Sequence, residues 1–254
     1  MKTTLPLLIC ATSMFTSAVV GRADEFDSAG VKIHYTIAGQ GEPVILIHGL
    51  YSSARINWDM PGITSELARH YRVIALDCRG HGQSDKPEEE GKYGVEMAND
   101  IVRLMDHLHI ARSHVVGYSM GGMITMKLLT IHPERVSSAV LGGMGWLRAD
   151  SPLQRFWELA KDRRNQKVPA ACLHDFARLA VTEEEVKAVK VPVTIIIGDR
   201  DPCRRMYVEP LRRIRTDWPE HVIDAAGHLN CIMKPDFRTQ LKTALDSNAT
   251  TKQK

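Results

Sequence analysis

Little in this sequence points to a charged or membranous partner. Across 254 residues, 33 Lys and Arg stand against 30 Asp and Glu, a formal charge of +3. Basic residues cluster only in short pieces such as Arg212-Arg213, so the footprint of nucleic acid or of an anionic membrane surface is missing. Beyond the first two dozen residues no apolar stretch is long enough to cross a bilayer. Cysteines number five, and their scatter excludes a metal motif with close C-x-x-C spacing. No cluster of arginines offers a clamp for phosphate or polycarboxylate, and there is no internal repeat or low-complexity segment. What remains, 44% hydrophobic and 25% charged, is the composition of an ordinary globule of a length that suits one α/β domain.

The start of the chain reads differently. Lys2 gives a weak positive beginning, Leu5 to Val20 form an apolar stretch broken by Pro and Ser/Thr, and Gly21-Arg22-Ala23 ends in small residues where a signal peptidase reads. Residues 1–23 are therefore set aside as a signal peptide cleaved after Ala23, with export to the periplasm or the medium. The competing reading is an uncleaved anchor, for which the apolar run is short. Cys10 has no small residue before it and does not read as a lipid-attachment site. The exported chain keeps Cys78, Cys172, Cys203 and Cys231 in a compartment that allows disulfides.

Strand-like runs follow at Val31 to Ala38, Pro43 to Ile47, Arg72 to Leu76, His114 to Val116, Val136 to Leu141 and Val193 to Ile197. Helical spacing marks Ile63 to His70, Val95 to Leu108 and a segment ending near His132, where Pro133 stops it. Cys203 to Ile214 and Pro235 to Leu245 read as the last two helices. Between the His114 strand and the helix from Met123 lies Gly117-Tyr118-Ser119-Met120-Gly121-Gly122. A serine between glycines at a strand-to-helix junction is the pattern of a nucleophile elbow. The turn is so sharp that glycine alone leaves room on either side, and the hydroxyl projects toward the positive end of the helix. Such a serine needs a general base, and the base needs a carboxylate to orient it. Gly198-Asp199-Arg200-Asp201-Pro202 follows the Val193 strand, and Asp224-Ala225-Ala226-Gly227-His228 follows Val222-Ile223.

Two more motifs complete the series: His48-Gly49 after Pro43 to Ile47, and Asp77-Cys78-Arg79-Gly80-His81-Gly82-Gln83-Ser84 after Arg72 to Leu76. In this order they resemble the α/β-hydrolase fold superfamily over nearly the whole chain past the first thirty residues. The resemblance implies an α/β fold with a mostly parallel central sheet flanked by helices, here over residues 24–246. It also implies a short helical cap inserted at about 145–190, and residues 247–254 are left as a polar, disordered tail. By the same resemblance Ser119 is the nucleophile, His228 the general base and Asp201 the acid, with Asp199 as its local rival. The backbone N–H groups of Leu50 and Met120 would form the oxyanion hole. The implied chemistry is metal- and cofactor-independent cleavage of small to medium carboxylic esters through an acyl-enzyme, the partner being a small-molecule ester. A lactonase, a perhydrolase and a hydrolase of carbon–carbon bonds share the triad; the loop His48-Gly49-Leu50-Tyr51-Ser52-Ser53 is not Gly-rich, which counts against the last. A non-catalytic ligand-binding member of the fold is the alternative from another class.

Other residues read as structural. His48 would fix the turn that aims the Leu50 N–H, while Asp77, Arg79, Gly80 and Gly82 would organise a tight loop. Trp58 would anchor the loop after the oxyanion turn, and Met144 and Trp146 read equally as pocket lining or packing. In the cap, Ser151-Pro152 opens a helix with Leu153, Phe156, Trp157 and Ala160 on one face. Thr182-Glu183-Glu184-Glu185 has the form of a capping box. Arg148, Arg163 and Arg164 read as a solvated cap face. Because the acid and histidine loops must converge, a Cys203–Cys231 bridge is open to them, free thiols being the alternative.

Overall fold

Runs of Val, Ile and Leu build the middle of a sheet that is buried on both faces. The computed structural model describes residues 22–149, 151 and 168–250, the last three by backbone alone. Its strands are β1 (Arg22–Asp27), β2 (Lys32–Ala38), β3 (Glu42–Ile47), β4 (Tyr71–Leu76), β5 (Ser113–Tyr118), β6 (Val136–Gly142), β7 (Val193–Gly198) and β8 (Glu220–Ile223). Its helices are α1 (Ile63–Leu67), α2 (Val95–His107), α3 (Met120–Ile131), α4 (Ala170–His174), α5 (Glu183–Ala188), α6 (Glu209–Ile214) and α7 (Pro235–Thr250).

The strands lie in the order β1-β2-β4-β3-β5-β6-β7-β8. The pairs β1–β2 and β2–β4 are antiparallel, and the neighbours from β4 to β8 run parallel. This is the mostly parallel α/β architecture that the motifs implied. Helices on both faces explain why the central strands read as continuous apolar runs rather than alternating ones. Ile45 and Ile47 face a core filled by α2 and α3, whereas Val44 and Leu46 face one filled by α1 and α7. From β3 the chain steps outward to β4, then crosses back to the other side of β3 to form β5. That reversal opens a crevice at the carboxyl ends of β3 and β5, where open sheets bind their ligands. His48-Gly49 and Ser119 leave the sheet at those ends.

Several elements depart from expectation. β1 is an edge strand with only Phe26 buried, so its sequence carries no clear alternation. It includes Arg22 and Ala23, paired with Ile37 and Thr36, just ahead of the expected cleavage point. The helix expected over Cys203 to Ile214 is present, but it widens into a π-turn at Arg204–Val208 before continuing as α6. Pro210 is the cause: it has no N–H to give to the preceding turn and crowds the carbonyl four residues back. α7 continues through residue 250, past the start of the expected tail. Tyr71 donates to Asp246 at 2.7 Å and Lys242 pairs with the same carboxylate at 2.5 Å, which pins that turn to β4.

In the cap region, α4, a 3₁₀ turn (Asp175–Leu179) and α5 are described. The capping box at α5 is formed: the Glu185 N–H donates to Thr182 Oγ1 at 3.1 Å, and the Thr182 N–H donates to Glu185 Oε2 at 2.7 Å. Residues 1–21 and 251–254 and the cap positions Leu153, Phe156, Trp157, Ala160, Arg163 and Arg164 lie outside the described residues. Among those described, no helix is long and apolar enough to cross a membrane.

Candidate active site

Backbone geometry at the β5–α3 junction follows from its glycines. Ser119 has φ 55° and ψ −114°, a strained conformation for a residue with a side chain. Its N–H donates to the Gly142 carbonyl at 2.8 Å, so β6 holds the turn in place. A Cβ on Gly117 would lie 2.0 Å from the Gly121 carbonyl oxygen, and one on Gly121 would lie 2.0 Å from that of Ile47. No side-chain rotation relieves a clash with backbone. Gly121→Ala is therefore expected to destabilise the fold by more than the ~1–3 kcal/mol typical of core overpacking. A urea-unfolding midpoint equal to that of the parent protein would contradict this.

The loop after β3 runs alongside the elbow. Gly49 sits so close to Ser119 that a Cβ there would be 3.3 Å from the Ser119 Cβ. The Gly49 N–H is held by Asn57 Oδ1 at 2.7 Å. Asn57 belongs to a π-turn, Arg55–Asp59, anchored by the fully buried Trp58. Among the described residues, the N–H groups of Leu50 and Met120 have no hydrogen-bond partner. His48 fixes this loop from beneath, donating Nδ1–H to the Gly49 carbonyl at 2.7 Å and accepting the Cys78 N–H on Nε2 at 3.0 Å.

Ser119, His228 and Asp201 are brought into one line. Ser119 Oγ lies 2.8 Å from His228 Nε2, and His228 Nδ1 lies 2.8 Å from Asp201 Oδ2. A carboxylate can only accept, so the Nδ1 that faces it carries the proton and Nε2 presents a lone pair to the serine. The Asp201 carboxylate is fully buried, and its Oδ1 accepts the Cys203 N–H at 2.9 Å. Asp199 is placed elsewhere. Its Oδ1 accepts the Ala226 N–H at 2.8 Å, a bond that holds its carboxyl below the ordinary range, and it ties the acid loop to the histidine loop. Gly198 permits that approach, since a Cβ there would lie 2.1 Å from the Ala226 carbonyl oxygen. Tyr118 donates its hydroxyl to the His228 carbonyl at 2.6 Å, holding that residue from the side of the elbow.

The bridge open to Cys203 and Cys231 is not formed; both are thiols, as are Cys78 and Cys172. Burial pushes the Cys231 thiol up to about 12, and burial pushes that of Cys203 up as well. A carboxylate oxygen of Asp201, the Cys203 sulfur and a ring nitrogen of His228 form the one cluster among the described residues that could take a metal ion.

The loop after β4 is scaffolding. Asp77 accepts the Ala54 N–H at 2.8 Å and the Gln83 N–H at 2.9 Å, stapling the loop after β3 to its own. A Cβ on Gly82 would strike the Asp77 carboxylate at 2.3 Å. Arg79 makes a buried two-pronged pair with Asp100, at 2.7 and 2.5 Å, and donates to the Lys92 carbonyl at 2.6 Å. Met144 packs under Gly122, and the Trp146 Nε1–H donates to the Val181 carbonyl at 2.8 Å, which fastens the cap region to the sheet.

His81, in this same loop, sits edge-on to His48 with ring centroids 5.2 Å apart. Burial, with the neighbouring His48 second, holds His81 at about 3, and burial also keeps His48 below its ordinary range. His81 is therefore neutral when folded but protonates near pH 6.5 when unfolded. Its contribution to stability is complete above that pH and is lost as pH falls from there toward about 3. It adds a slope of about 1.4 kcal/mol per pH unit within the window. His81→Asn is expected to remove one such slope from denaturant titrations between about pH 6 and about pH 4. Parallel stability curves for variant and parent would contradict it.

Asn57 and Tyr118 are the positioning residues that sequence reasoning missed. A single Asn in a loop carries no pattern, and Tyr118 occupies a position that the G-x-S-x-G pattern leaves unspecified.

Comparison with known proteins agrees with the fold. Residues 42–170, just over half the chain, match the model of the alpha/beta hydrolase fold family. A 2-hydroxy-6-oxo-6-(2'-aminophenyl)hexa-2,4-dienoic acid hydrolase of Metapseudomonas resinovorans is 36% identical over 123 residues, 48% of this chain and 42% of that protein. The dihydrolipoyllysine-residue acetyltransferase component of the acetoin cleaving system of Pseudomonas putida is 35% identical over 141 residues, 53% of this chain and 36% of that protein. The chain thus spans less than half the length of these curated relatives. Among solved structures, a meta-cleavage product hydrolase from Pseudomonas fluorescens IP01 superposes with a TM-score of 0.70 at 25% identity, covering 88% of this chain and 97% of that one.

Proposed function

Since the chain belongs to the α/β-hydrolase fold family, we propose that it is a serine hydrolase cleaving carboxylic esters of small to medium acyl chain. The observation that carries this reading is the continuous line from Ser119 Oγ through His228 to the buried Asp201, two contacts of 2.8 Å each. Ser119 attacks the ester carbonyl while His228 Nε2 takes its proton, and Asp201 holds the imidazole and stabilises its charged form. The developing oxyanion rests on the Leu50 and Met120 N–H groups, each such donor contributing about 3 kcal/mol to the transition state. His228 then returns the proton to the leaving alcohol, and water activated by the same nitrogen hydrolyses the acyl-enzyme.

A serine in the elbow, rather than an aspartate, favours an acyl-enzyme over an alkyl-enzyme ester. Hydrolysis of p-nitrophenyl esters from acetate to palmitate tests the reading. Turnover that peaks at short chains and needs no added metal supports it, and a folded protein inert across the series removes it.

One observation favours a second reading. Two of the similar proteins are named for hydrolysis of dienoic or meta-cleavage products, which breaks a carbon–carbon bond. The same nucleophile and base serve that reaction. Turnover of a 2-hydroxy-6-oxo-dienoate faster than of any simple ester would establish it in place of esterase activity.

A further inference from the structure

Cys203 takes no part in ester cleavage, yet it stands against the two groups that orient the serine. A carboxylate oxygen of Asp201, the Cys203 Sγ and a ring nitrogen of His228 all lie within 4.8 Å of one another. Donors sharing a tetrahedral ion at about 2.0–2.3 Å are about 3.5 Å apart. The trio therefore needs a side-chain adjustment of about 1 Å to close on a cation. The donor types select its kind. A thiolate, an imidazole and a carboxylate suit a borderline-soft or soft divalent ion, whereas Mg²⁺ and Ca²⁺ require oxygen ligands in larger number. Cys203 and His228 are half-buried, which leaves the third side of the trio reachable, while Asp201 supplies a fixed negative charge from beneath.

We propose that Asp201, Cys203 and His228 form an inhibitory site for a thiophilic divalent cation such as Zn²⁺ or Cd²⁺. The His228 nitrogen on the Asp201 side is Nδ1, so that is the atom that binds the ion. Occupancy releases one proton to solvent, that of the Cys203 thiol. The imidazole keeps its single proton but carries it on Nε2 instead of Nδ1. Nε2 then offers Ser119 an N–H where it had offered a lone pair, and the base function is lost. An ordinary thiol is protonated at neutral pH, so the Cys203 proton leaves only when a cation takes its place. The inhibitory half of this proposal rests on the proposed role of His228; the binding half does not.

The test uses the full chain, freed of metal with a chelator and titrated with Cd²⁺. Cadmium–thiolate charge-transfer absorption in the ultraviolet is expected to saturate at one cation per chain and to be absent in Cys203→Ser and Cys203→Ala. It should persist in Cys231→Ser. Hydrolysis of an ester substrate should fall in step and recover with excess chelator, and Mg²⁺ at the same concentration should leave the rate unchanged. Loss of a second-shell partner alone costs a metal site 10–100-fold in affinity. The Cd²⁺ concentration that halves the rate should accordingly rise at least about tenfold in the Cys203 variants, each compared with its own metal-free rate. In the parent protein, Cd²⁺ should protect Cys203 from alkylation, a readout independent of any variant's folding. Unchanged absorption or unchanged inhibition without Cys203, equal inhibition by Mg²⁺, or failure of Cd²⁺ to protect Cys203 would overturn the proposal. Should the protein turn over no ester, absorption and protection still decide the site, separating its failure from that of the esterase reading.

Discussion

Ser119→Ala is expected to lower kcat for ester hydrolysis by about 10⁴- to 10⁶-fold, with little change in KM. The substitution deletes one oxygen and leaves the elbow intact, because the strain at φ 55° is borne by the backbone and the flanking glycines remain. The oxyanion donors and the binding surface survive, so a residual rate above that of water should persist. Initial rates on the best p-nitrophenyl ester, with circular dichroism to show that the variant folds, measure the effect. A variant retaining a tenth of the parent rate would mean that water, or another residue, is the attacking group.

Asp201→Asn is expected to cost about 10⁴-fold in kcat, through the tautomer of His228 rather than through its position. The amide is isosteric and its oxygen can still accept the Cys203 N–H, but its NH₂ group can turn toward His228 Nδ1. The ring proton then moves to Nε2, where the lone pair is required. Asp199→Asn should leave kcat almost unchanged, because an amide oxygen still accepts the Ala226 N–H that Asp199 holds. The pair of variants separates the two aspartates, which lie two residues apart. Equal losses in both would show that convergence of the loops, rather than polarisation of the base, sets the rate.

Much of this could be read from the chain because two physical signals are strong. Strands covered on both faces are apolar through their middles, so β3 and β7 stand out as runs of Val, Ile and Leu. The elbow must contain glycine where backbone meets backbone, and Gly117 and Gly121 are both within 2.0 Å of a carbonyl oxygen once a Cβ is imagined on them. What was not legible lacks such a signal. β1 is half solvated at a sheet edge and held mainly by backbone pairing. The π-turns at Arg55–Asp59 and Arg204–Val208 arise from local crowding that periodicity does not record. Asn57 acts through one contact eight residues back, at Gly49. The choice between Asp199 and Asp201 depended on which carboxylate turns inward, and a spacing of two does not encode that. Convergence of the acid and histidine loops left a Cys203–Cys231 bridge and free thiols both open at the level of sequence; it brings Cys203 to Asp201 and His228, and Cys231 beneath Tyr118 and the second core.

The proposed mechanism requires that Ser119 become covalently acylated. Reaction with a fluorophosphonate, followed by intact-mass measurement and peptide mapping, tests it most directly. One phosphonyl group per chain is expected, located on Ser119, with ester hydrolysis lost in proportion and no labelling of Ser119→Ala. Stoichiometric labelling at another residue, or full turnover by protein labelled at Ser119, would contradict it.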